Sequence, residues 1–498
     1  MYFDVNDTIC APATIPGTGA VSIVRISGPD SIRIADSLIR CKNTSLSALE
    51  AYKMQFAEML EADGSMLDQV LVAVFRAPHS YTGEDSVEIY CHASAYIVNR
   101  CIQLLCDAGA RAAEPGEFTR RAFANGKMDL AQAEAVADVI ASQSASAHRV
   151  AMNQLRGGYS LELREMRKDL LELASLMELE LDFSEEDVVF ADRKKLRASC
   201  DALVDHIGRL IDSFKLGNAL KDGIPTVIAG ATNAGKSTLL NALLGEDRAI
   251  VSDIAGTTRD SIEASFNVDG VLFRVIDTAG LRESNDSIEK IGIERSLSMI
   301  EKADIVLAVF DYFGSLDTLS DSAALIRKKC GDHQPLIIPI LNKIDLLEGD
   351  NKKVSPFNTN VIDFESYLLD ALGIPESSFL RISATSGEGI PDLKKILSDF
   401  AHSSLNQNST LVTNARHLQA LKLANAALLR VRSALYSRTP ADLYLQDLRE
   451  ALFHIGSITG EITTDEILGN IFARFCVGKG YGNSDTFLKC KIYENTLN

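Results

Sequence analysis

No apolar run in the chain reaches the ~18 residues that a membrane helix needs, and no charged-then-apolar signal pattern stands near residue 1. A cytoplasmic chain with no membrane span is therefore expected. The nine cysteines are scattered and include no C-x-x-C, which favours reduced thiols over a disulfide framework. Positive charge is short as well. Fifty Lys and Arg against 68 Asp and Glu leave a net charge of −18, which excludes wholesale coating of nucleic acid. A local basic patch stays open, because Arg111, Arg120, Arg121 and Lys127 stand close together. Any one such cluster reads first as a solvated face. At 498 residues, roughly two to four domains with ample core are expected.

What is present is a triplet of motifs in a fixed order. Gly230-Ala-Thr-Asn-Ala-Gly-Lys-Ser237 is a G-x-x-x-x-G-K-[ST] phosphate loop, followed by Asp277-Thr-Ala-Gly280 and Asn342-Lys-Ile-Asp345. Val227-Ile-Ala229 reads as a buried strand before the loop, and Ser237-Thr-Leu-Leu-Asn-Ala-Leu-Leu244 opens a helix after it. Gly230 and Gly235 let the backbone curl so that N–H groups of Asn233, Ala234 and their neighbours point at phosphate oxygens. Lys236 brings a point charge to the β- and γ-phosphates, the Ser237 hydroxyl is placed for Mg²⁺, and Thr238 continues the turn. Asp277 ends the strand Leu272-Phe-Arg-Val-Ile276 and reaches Mg²⁺ through water, while the Gly280 N–H faces the γ-phosphate beside Thr278 and Ala279. Asp345 only accepts hydrogen bonds, so it takes two hydrogens from the guanine edge, a donor pair adenine lacks. Lys343 lays its stem over the base, and Ser383-Ala384, after the strand Phe379-Leu-Arg-Ile382, offers a backbone N–H to the guanine oxygen. The loop Ile254-Ala-Gly-Thr-Thr-Arg-Asp260 is the expected first switch, with a Thr257 or Thr258 hydroxyl on Mg²⁺.

One position breaks the Ras-like plan. A water-orienting Gln is expected after Asp-Thr-Ala-Gly, and the residue there is Leu281. Hydrolysis then needs another polar group and another positive charge. Glu283, Asp286 and Glu289 follow in the same loop, and Arg259 and Arg282 are cations near it.

The chain falls into stretches. Residues 1–124 mix strands (Val21 to Ile26, Val70 to Phe75) with expected helices at Leu46 to Leu60 and Ala95 to Ala108. In 125–220 a helical stripe of Leu163, Met166, Leu170, Leu173 and Met177 reads as bundle core. Residues 221–401 alternate strand and helix patterns, which means a parallel sheet. Helical periodicity resumes in 402–479 at Leu418, Leu421, Leu428, Val431 and Leu435. The expectation is an α/β nucleotide domain inserted into a helical bundle whose halves flank it.

The flanks carry a resemblance. Asp7-Thr-Ile9, Ile23-Val-Arg-Ile-Ser-Gly28, Ser80-Tyr-Thr-Gly-Glu-Asp85, Pro115-Gly-Glu-Phe118, Arg121-Ala-Phe123, Asn125-Gly-Lys127, Asp129-Leu-Ala-Gln-Ala-Glu-Ala135, Asp182-Phe183 and Phe475-Cys-Val-Gly-Lys479 follow one another in order. Together they resemble the MnmE (TrmE) family of tRNA wobble-uridine modification GTPases, from about residue 4 to 479. That resemblance implies an α+β folate-binding domain at 1–124 that forms the homodimer. It further implies a discontinuous all-α domain in two halves at 125–220 and 402–479, and an inserted Ras-like P-loop G domain at 221–401 with a mainly parallel sheet. It implies folate contacts at Arg25, Glu88, Lys127 and Lys479, for a tetrahydrofolate derivative (5-formyl or 5,10-methylene). An MnmG-type partner bringing FAD and NADH would join in a heterotetramer to build a carboxymethylaminomethyl or aminomethyl group on carbon 5 of tRNA wobble uridine. Transient G-domain pairing around K⁺ would replace the missing Gln and arginine finger. The K⁺ ligands fall on Asn233, Ser252, Ile254 and Thr257, the second Mg²⁺ ligand on Thr258, and the water-positioning carboxylate on Glu289. Cys476 is expected to serve the tRNA chemistry and not GTP turnover.

Two places depart from the family pattern. His92-Ala-Ser94 stands where His-Gly-Gly is usual, and 480–498 extends past the Cys-x-Gly-Lys motif. Two other classes stay open on sequence: a ribosome-assembly GTPase switch without RNA chemistry, and a folate-binding scaffold gated by its G domain. The former usually carries a basic RNA-binding module after the G domain, where this chain has an acidic-to-neutral helical half.

Overall fold

Val70, Val72 and Val74 are buried while Leu71 between them is exposed, the period-two alternation of a sheet with one covered face. The computed structural model describes residues 7–42, 44–182, 193–245, 264–276, 299–331, 334–347, 361–374, 377–405, 411–437, 442–462 and 471. Two compact units arise. One draws on 1–137, 155–168 and 452–498, the other on 138–154 and 169–451.

The first unit holds a seven-stranded sheet of order β3-β4-β5-β6-β2-β1-β7. Its strands are β1 (Ile9–Pro12), β2 (Gly19–Ser27), β3 (Ile39–Cys41), β4 (Met54–Leu60), β5 (Met66–Phe75), β6 (Ser86–Ala93) and β7 (Arg111–Ala112). Helices α1 (Ser31–Leu38) and α2 (Ala95–Asp107) cover one face through Ile32, Ile34, Val98, Cys101, Ile102 and Leu105. The opposite face leaves Met54, Phe56 and Leu71 exposed.

The helix expected from Leu46 to Leu60 is not there. A short 3₁₀ turn, Leu46–Ala48, is followed by β4. Met, Gln, Ala, Glu and Leu all favour helix, but Met54–Leu60 pairs antiparallel with β5 and buries Ala57 and Met59 on alternate positions. Pairing decides the local structure.

The basic cluster is also not a free patch. Helix α3 (Glu117–Ala124) presents Glu117, which accepts from Arg111 at 2.7 Å and from Arg121 at 3.0 Å. Arg121 also meets Glu84 at 3.2 Å and the Asp7 carboxylate. Arg120 pairs with Glu114 at 3.2 Å, and Lys127 donates to the Pro78 carbonyl at 3.0 Å. Arg121 and Glu117 are 5% and 3% exposed at the side chain, so the Arg121 charge is spent inside the fold, while Lys127 stays exposed.

Burial alone pushes the Glu117 carboxyl up, but Arg111, the Glu114 N–H and Arg121 together hold it below its ordinary 4.5. Its contribution to stability is complete above 4.5 and disappears as pH falls through the depressed folded value. Glu117→Gln is expected to cost about 3 kcal/mol, the usual scale for breaking a buried ion pair, and to flatten the acid limb of stability against pH. Urea melts from pH 3 to 7 check this; superimposable native and variant curves would refute it.

The second unit holds a six-stranded sheet of order β13-β12-β11-β8-β10-β9. Its strands are β8 (Ile224–Ala229), β9 (Ala264–Val268), β10 (Val271–Val275), β11 (Ile305–Asp311), β12 (Leu336–Asn342) and β13 (Leu380–Ile382). All neighbours are parallel except β9 with β10. Both faces are covered, as parallel strands require. Ile305, Leu307 and Val309 pack under α7 (Arg193–Asp222), α8 (Lys236–Leu244) and α11 (Ile390–Leu405). Val306, Ala308 and Phe310 pack under α9 (Leu316–Cys330) and α10 (Val361–Leu372).

The remaining helices are α4 (Leu130–Ala141), α5 (Ala145–Leu155), α6 (Gly158–Asp182), α12 (Ala415–Ser437) and α13 (Asp442–Thr459). The stripe expected on α6 is core: Leu163, Met166, Leu170, Leu173 and Met177 are at most 2% exposed. On α12, Leu421, Leu428, Val431 and Leu435 are buried and Leu418 half-buried. There α12 packs on α7, where Arg197 donates to the Leu435 carbonyl at 2.8 Å. Helix α5 meets the β9–β10 turn, with the Ser146 N–H donating to the Gly270 carbonyl at 2.9 Å. Val150 packs against the sheet's core, and Gln154 holds the Thr413 hydroxyl at 3.0 Å.

Candidate functional site

Parallel strands send their following loops to one edge of the sheet, where ligands of doubly wound folds collect. The loops after β8, β12 and β13 meet at that edge. Gly230 has φ +156°, and a Cβ on it would lie 2.1 Å from the Val309 carbonyl. Gly235 has φ +94°, and its Cβ would lie 2.1 Å from the Asn342 side-chain nitrogen. Only glycine fits either place, and the loop curls between them through Asn233 at φ +58°. Ala234 is fully buried, while Asn233, Ser237 and Thr238 are exposed at the helix N-terminus. Lys236 donates to the Gly230 and Ala231 carbonyls at 3.0 and 2.8 Å, so its ammonium lies across the loop it serves.

Asn342 joins the loops. Its Nδ2 donates to the Ala234 carbonyl at 2.9 Å, and its Oδ1 accepts the Ala384 N–H at 3.0 Å. At 2% exposure it is walled from water, where hydrogen bonds are hard to replace. Lys343 follows at φ +73° and meets Asp311 at 2.7 Å. Asp345 sits in the 3₁₀ turn Ile344–Leu347. Ser383 is fully buried; its N–H donates to the Glu388 carbonyl and its hydroxyl accepts the Ser386 N–H. With the Ala384 N–H on Asn342, both N–H groups expected to meet the guanine oxygen are thus engaged inside the protein. The structure thus brings Asn233, Ala234, Gly235, Lys236, Ser237, Thr238, Asn342, Lys343, Asp345, Ser383 and Ala384 to one edge. Glycines that nothing larger could replace, and the left-handed backbone at Asn233 and Gly235, fit the tight loop that a nucleotide phosphate with its Mg²⁺ needs. Ser252, Ile254, Thr257, Thr258, Asp277, Thr278, Ala279, Gly280, Glu289, Cys476 and Lys479 lie outside the described residues, as do Leu281, Arg259 and Arg282.

Comparison with known proteins agrees with this edge and with the first unit. The family model of the GTP-binding protein TrmE N-terminus matches residues 8–127, and that of the MnmE helical domain matches residues 130–476. A protein of Parabacteroides distasonis named tRNA modification GTPase MnmE is 48% identical over 476 residues, 95% of this chain and 100% of that protein. Its namesake in Bacteroides thetaiotaomicron is 48% identical, with 95% and 100% covered. The one in Cytophaga hutchinsonii is 46% identical, with 95% and 98% covered. The chain belongs to the MnmE family of tRNA modification GTPases.

Three of the four residues expected to meet folate in an MnmE-family chain, Arg25, Glu88 and Lys127, lie in the first unit, and the fourth, Lys479, is outside the described residues. Arg25 on β2 and Glu88 on β6 are register partners, on the sheet face away from α1 and α2. Arg25 donates to Glu88 at 2.9 Å, and the Tyr90 hydroxyl donates to the other Glu88 oxygen at 2.8 Å. Burial, then Glu88, pushes the Tyr90 hydroxyl above its ordinary value. The Arg25 guanidinium lies 5.2 Å from the Tyr81 ring and 5.6 Å from the Phe118 ring. Lys127 reaches the same 78–83 loop through the Pro78 carbonyl, and its stem lies 3.3 Å from where a Cβ on Gly83 would stand. A cation, a carboxylate and aromatic faces around one loop fit a ligand with an acidic tail and a flat ring. His92 brings something the sequence did not announce: its ring nitrogen pairs with Asp68 at 2.8 Å, and its backbone N–H donates to the same carboxylate at 2.9 Å. Ala93 and Ser94 take no left-handed backbone, so the lost glycines cost the strand end no strain.

Proposed function

We propose that this MnmE-family GTPase hydrolyses GTP in a K⁺-dependent manner. We further propose that, with an MnmG-type flavoprotein, it installs a carboxymethylaminomethyl or aminomethyl group on carbon 5 of tRNA wobble uridine. The observation that carries the GTP half is the Asn342 clip, which joins the phosphate loop to both base-reading loops. In this reading the domains are 1–124 for folate and dimerisation, 125–220 and 402–479 for the helical domain, 221–401 for the G domain, and 480–498 as a tail.

The chain's own groups divide the work. Backbone N–H groups from Asn233 to Ser237 hold phosphate oxygens, and Lys236 neutralises the β- and γ-phosphates. Ser237 and Thr258 would hold Mg²⁺, which when bound offsets phosphate charge. Asn233, Ser252, Ile254 and Thr257 would hold K⁺, which when bound supplies the charge of an arginine finger. Glu289 orients the attacking water that Leu281 cannot. Arg25, Lys127 and Lys479 hold the acidic tail of the folate, the one-carbon source, and Glu88 its ring. Cys476 serves the tRNA chemistry, while FAD and NADH stay with the partner. Exposed Met54, Phe56 and Leu71 on the open sheet face favour homodimerisation there.

Wobble uridines of tRNA from a deletion strain, analysed by mass spectrometry with and without this gene, test the whole reading. Restoration by the native gene and failure with Cys476→Ser, whose GTPase persists, is the expected pattern. A deletion strain with fully modified uridines would remove the tRNA role.

Base choice gives a second expected result. Asp345→Asn should lose GTP affinity by about 10²-fold, the scale of a lost charge-assisted pair, and gain xanthosine triphosphate, whose edge carries an acceptor. Competition binding reads this out; an unmodified chain that takes ATP as readily as GTP would sink the guanine assignment.

A further inference from the structure

The geometry points to Asp311 as a positioning residue for guanine, fixing the Lys343 ammonium so that the lysine stem lies as a ready platform for the face of the base. The inference rests on the GTP reading above. It adds a residue outside the three nucleotide motifs.

Asp311 is the last residue of β11, and its register partner on β12 is Asn342. Both of its carboxylate oxygens are engaged. Oδ1 accepts the Phe313 N–H at 3.0 Å, and Oδ2 accepts from Lys343 Nζ at 2.7 Å. The first bond closes a local turn that aims the second oxygen. Lys343 starts from a left-handed backbone, φ +73°, which turns its side chain out of the strand line. Its stem is therefore held at both ends, by the backbone at one and by Asp311 at the other. A lysine stem otherwise has four rotors to freeze when it covers a ring, and prior pinning removes that cost from binding. The pair is partly open to water, at 31% and 24% side-chain exposure, so its worth is modest. An ammonium so paired is also taken away from the phosphates, which leaves Lys236 alone to meet them from these two motifs.

A face-on contact and an edge-on contact separate by nucleotide. The platform touches the ring face, which guanine and hypoxanthine share. Asp345 reads the exocyclic amino group that hypoxanthine lacks. Asp311→Asn keeps the acceptor for the Phe313 N–H and sets an amide donor against the lysine. Titrating the full chain with GDP and with inosine diphosphate, this variant is expected to weaken both by the same factor, about fivefold. The KM for GTP should rise with kcat held. Lys343→Met should give a comparable loss, and the double variant no further loss. Unfolding midpoints taken alongside show whether each variant is folded. Unchanged GDP affinity in Asp311→Asn, a loss confined to GDP, or losses that add in the double variant would each overturn the inference. A native chain that fails to bind GDP would overturn the nucleotide reading itself, and the inference with it.

Discussion

Asn342→Ala is expected to lower affinity for GDP and GTP by on the order of 10²-fold while the chain keeps its fold. The substitution removes two hydrogen bonds at a residue only 2% exposed. It leaves the Ala234 carbonyl and the Ala384 N–H without the partner each now has. An unmet buried polar group costs about 1–3 kcal/mol, and about 1.4 kcal/mol is a factor of ten in affinity. Part of that cost falls on stability, so roughly two decades remain for the ligand. Asn342→Asp refines the test, because it keeps the acceptor for Ala384 but sets an oxygen against the Ala234 carbonyl. Calorimetric affinities within twofold of the native chain for both variants would show that the clip is dispensable.

Turnover in Na⁺ should fall by on the order of 10²-fold against the same concentration of K⁺, the scale of losing a transition-state charge. Two sequence features motivate this, Leu281 in the place of a water-orienting Gln and Asn233 in the phosphate loop. The structure adds that Asn233 is exposed, on a left-handed backbone at φ +58°. Na⁺ is smaller and draws its oxygen ligands closer, so a shell sized for K⁺ holds it poorly. Glu289→Ala should bind GTP normally in either salt and hydrolyse it slowly in both. Equal rates in K⁺ and Na⁺ would return attention to Arg259 and Arg282 as charge donors.

The nucleotide edge was legible because each motif came with its context: a buried strand before Gly230 and a helix after Lys236. Strands β8 and β13 and helix α8 fall where those patterns put them. The apolar stripe of α6 was legible for the same reason, since period 3.5 over several turns has one explanation. Met54–Leu60 was not. Its residues prefer helix one by one, and the partner that makes them a strand, β5, lies across a turn whose pairing no local pattern states. The Arg111, Arg120 and Arg121 cluster misled for a related reason. Its neutralising carboxylates at Asp7 and Glu84 are brought in by the fold, Asp7 from more than a hundred positions away. Asp311 and Asp68 give no local signal, each a single acid at the end or start of an apolar run. Only register shows that Asp311 stands beside Asn342.

The grip of α5 and α7 on the six-stranded sheet bears on how portable the G domain is. Val150, Leu216, Ala219, Leu220 and Leu411 all pack into that sheet's core, yet none falls within 221–401. A fragment cut at those limits would carry an apolar scar along the base of its sheet and would tend to self-associate. Starting the fragment at 212 and ending it at 413 retains Leu216, Ala219, Leu220 and Leu411. It also retains the hydrogen bond from the Val412 N–H to the Ser213 hydroxyl at 3.2 Å. Motifs mark where the nucleotide binds; the seam on the α7 and 411–413 sides lies about ten residues further along the chain in each direction, and only the α5 contact through Val150 is then left open.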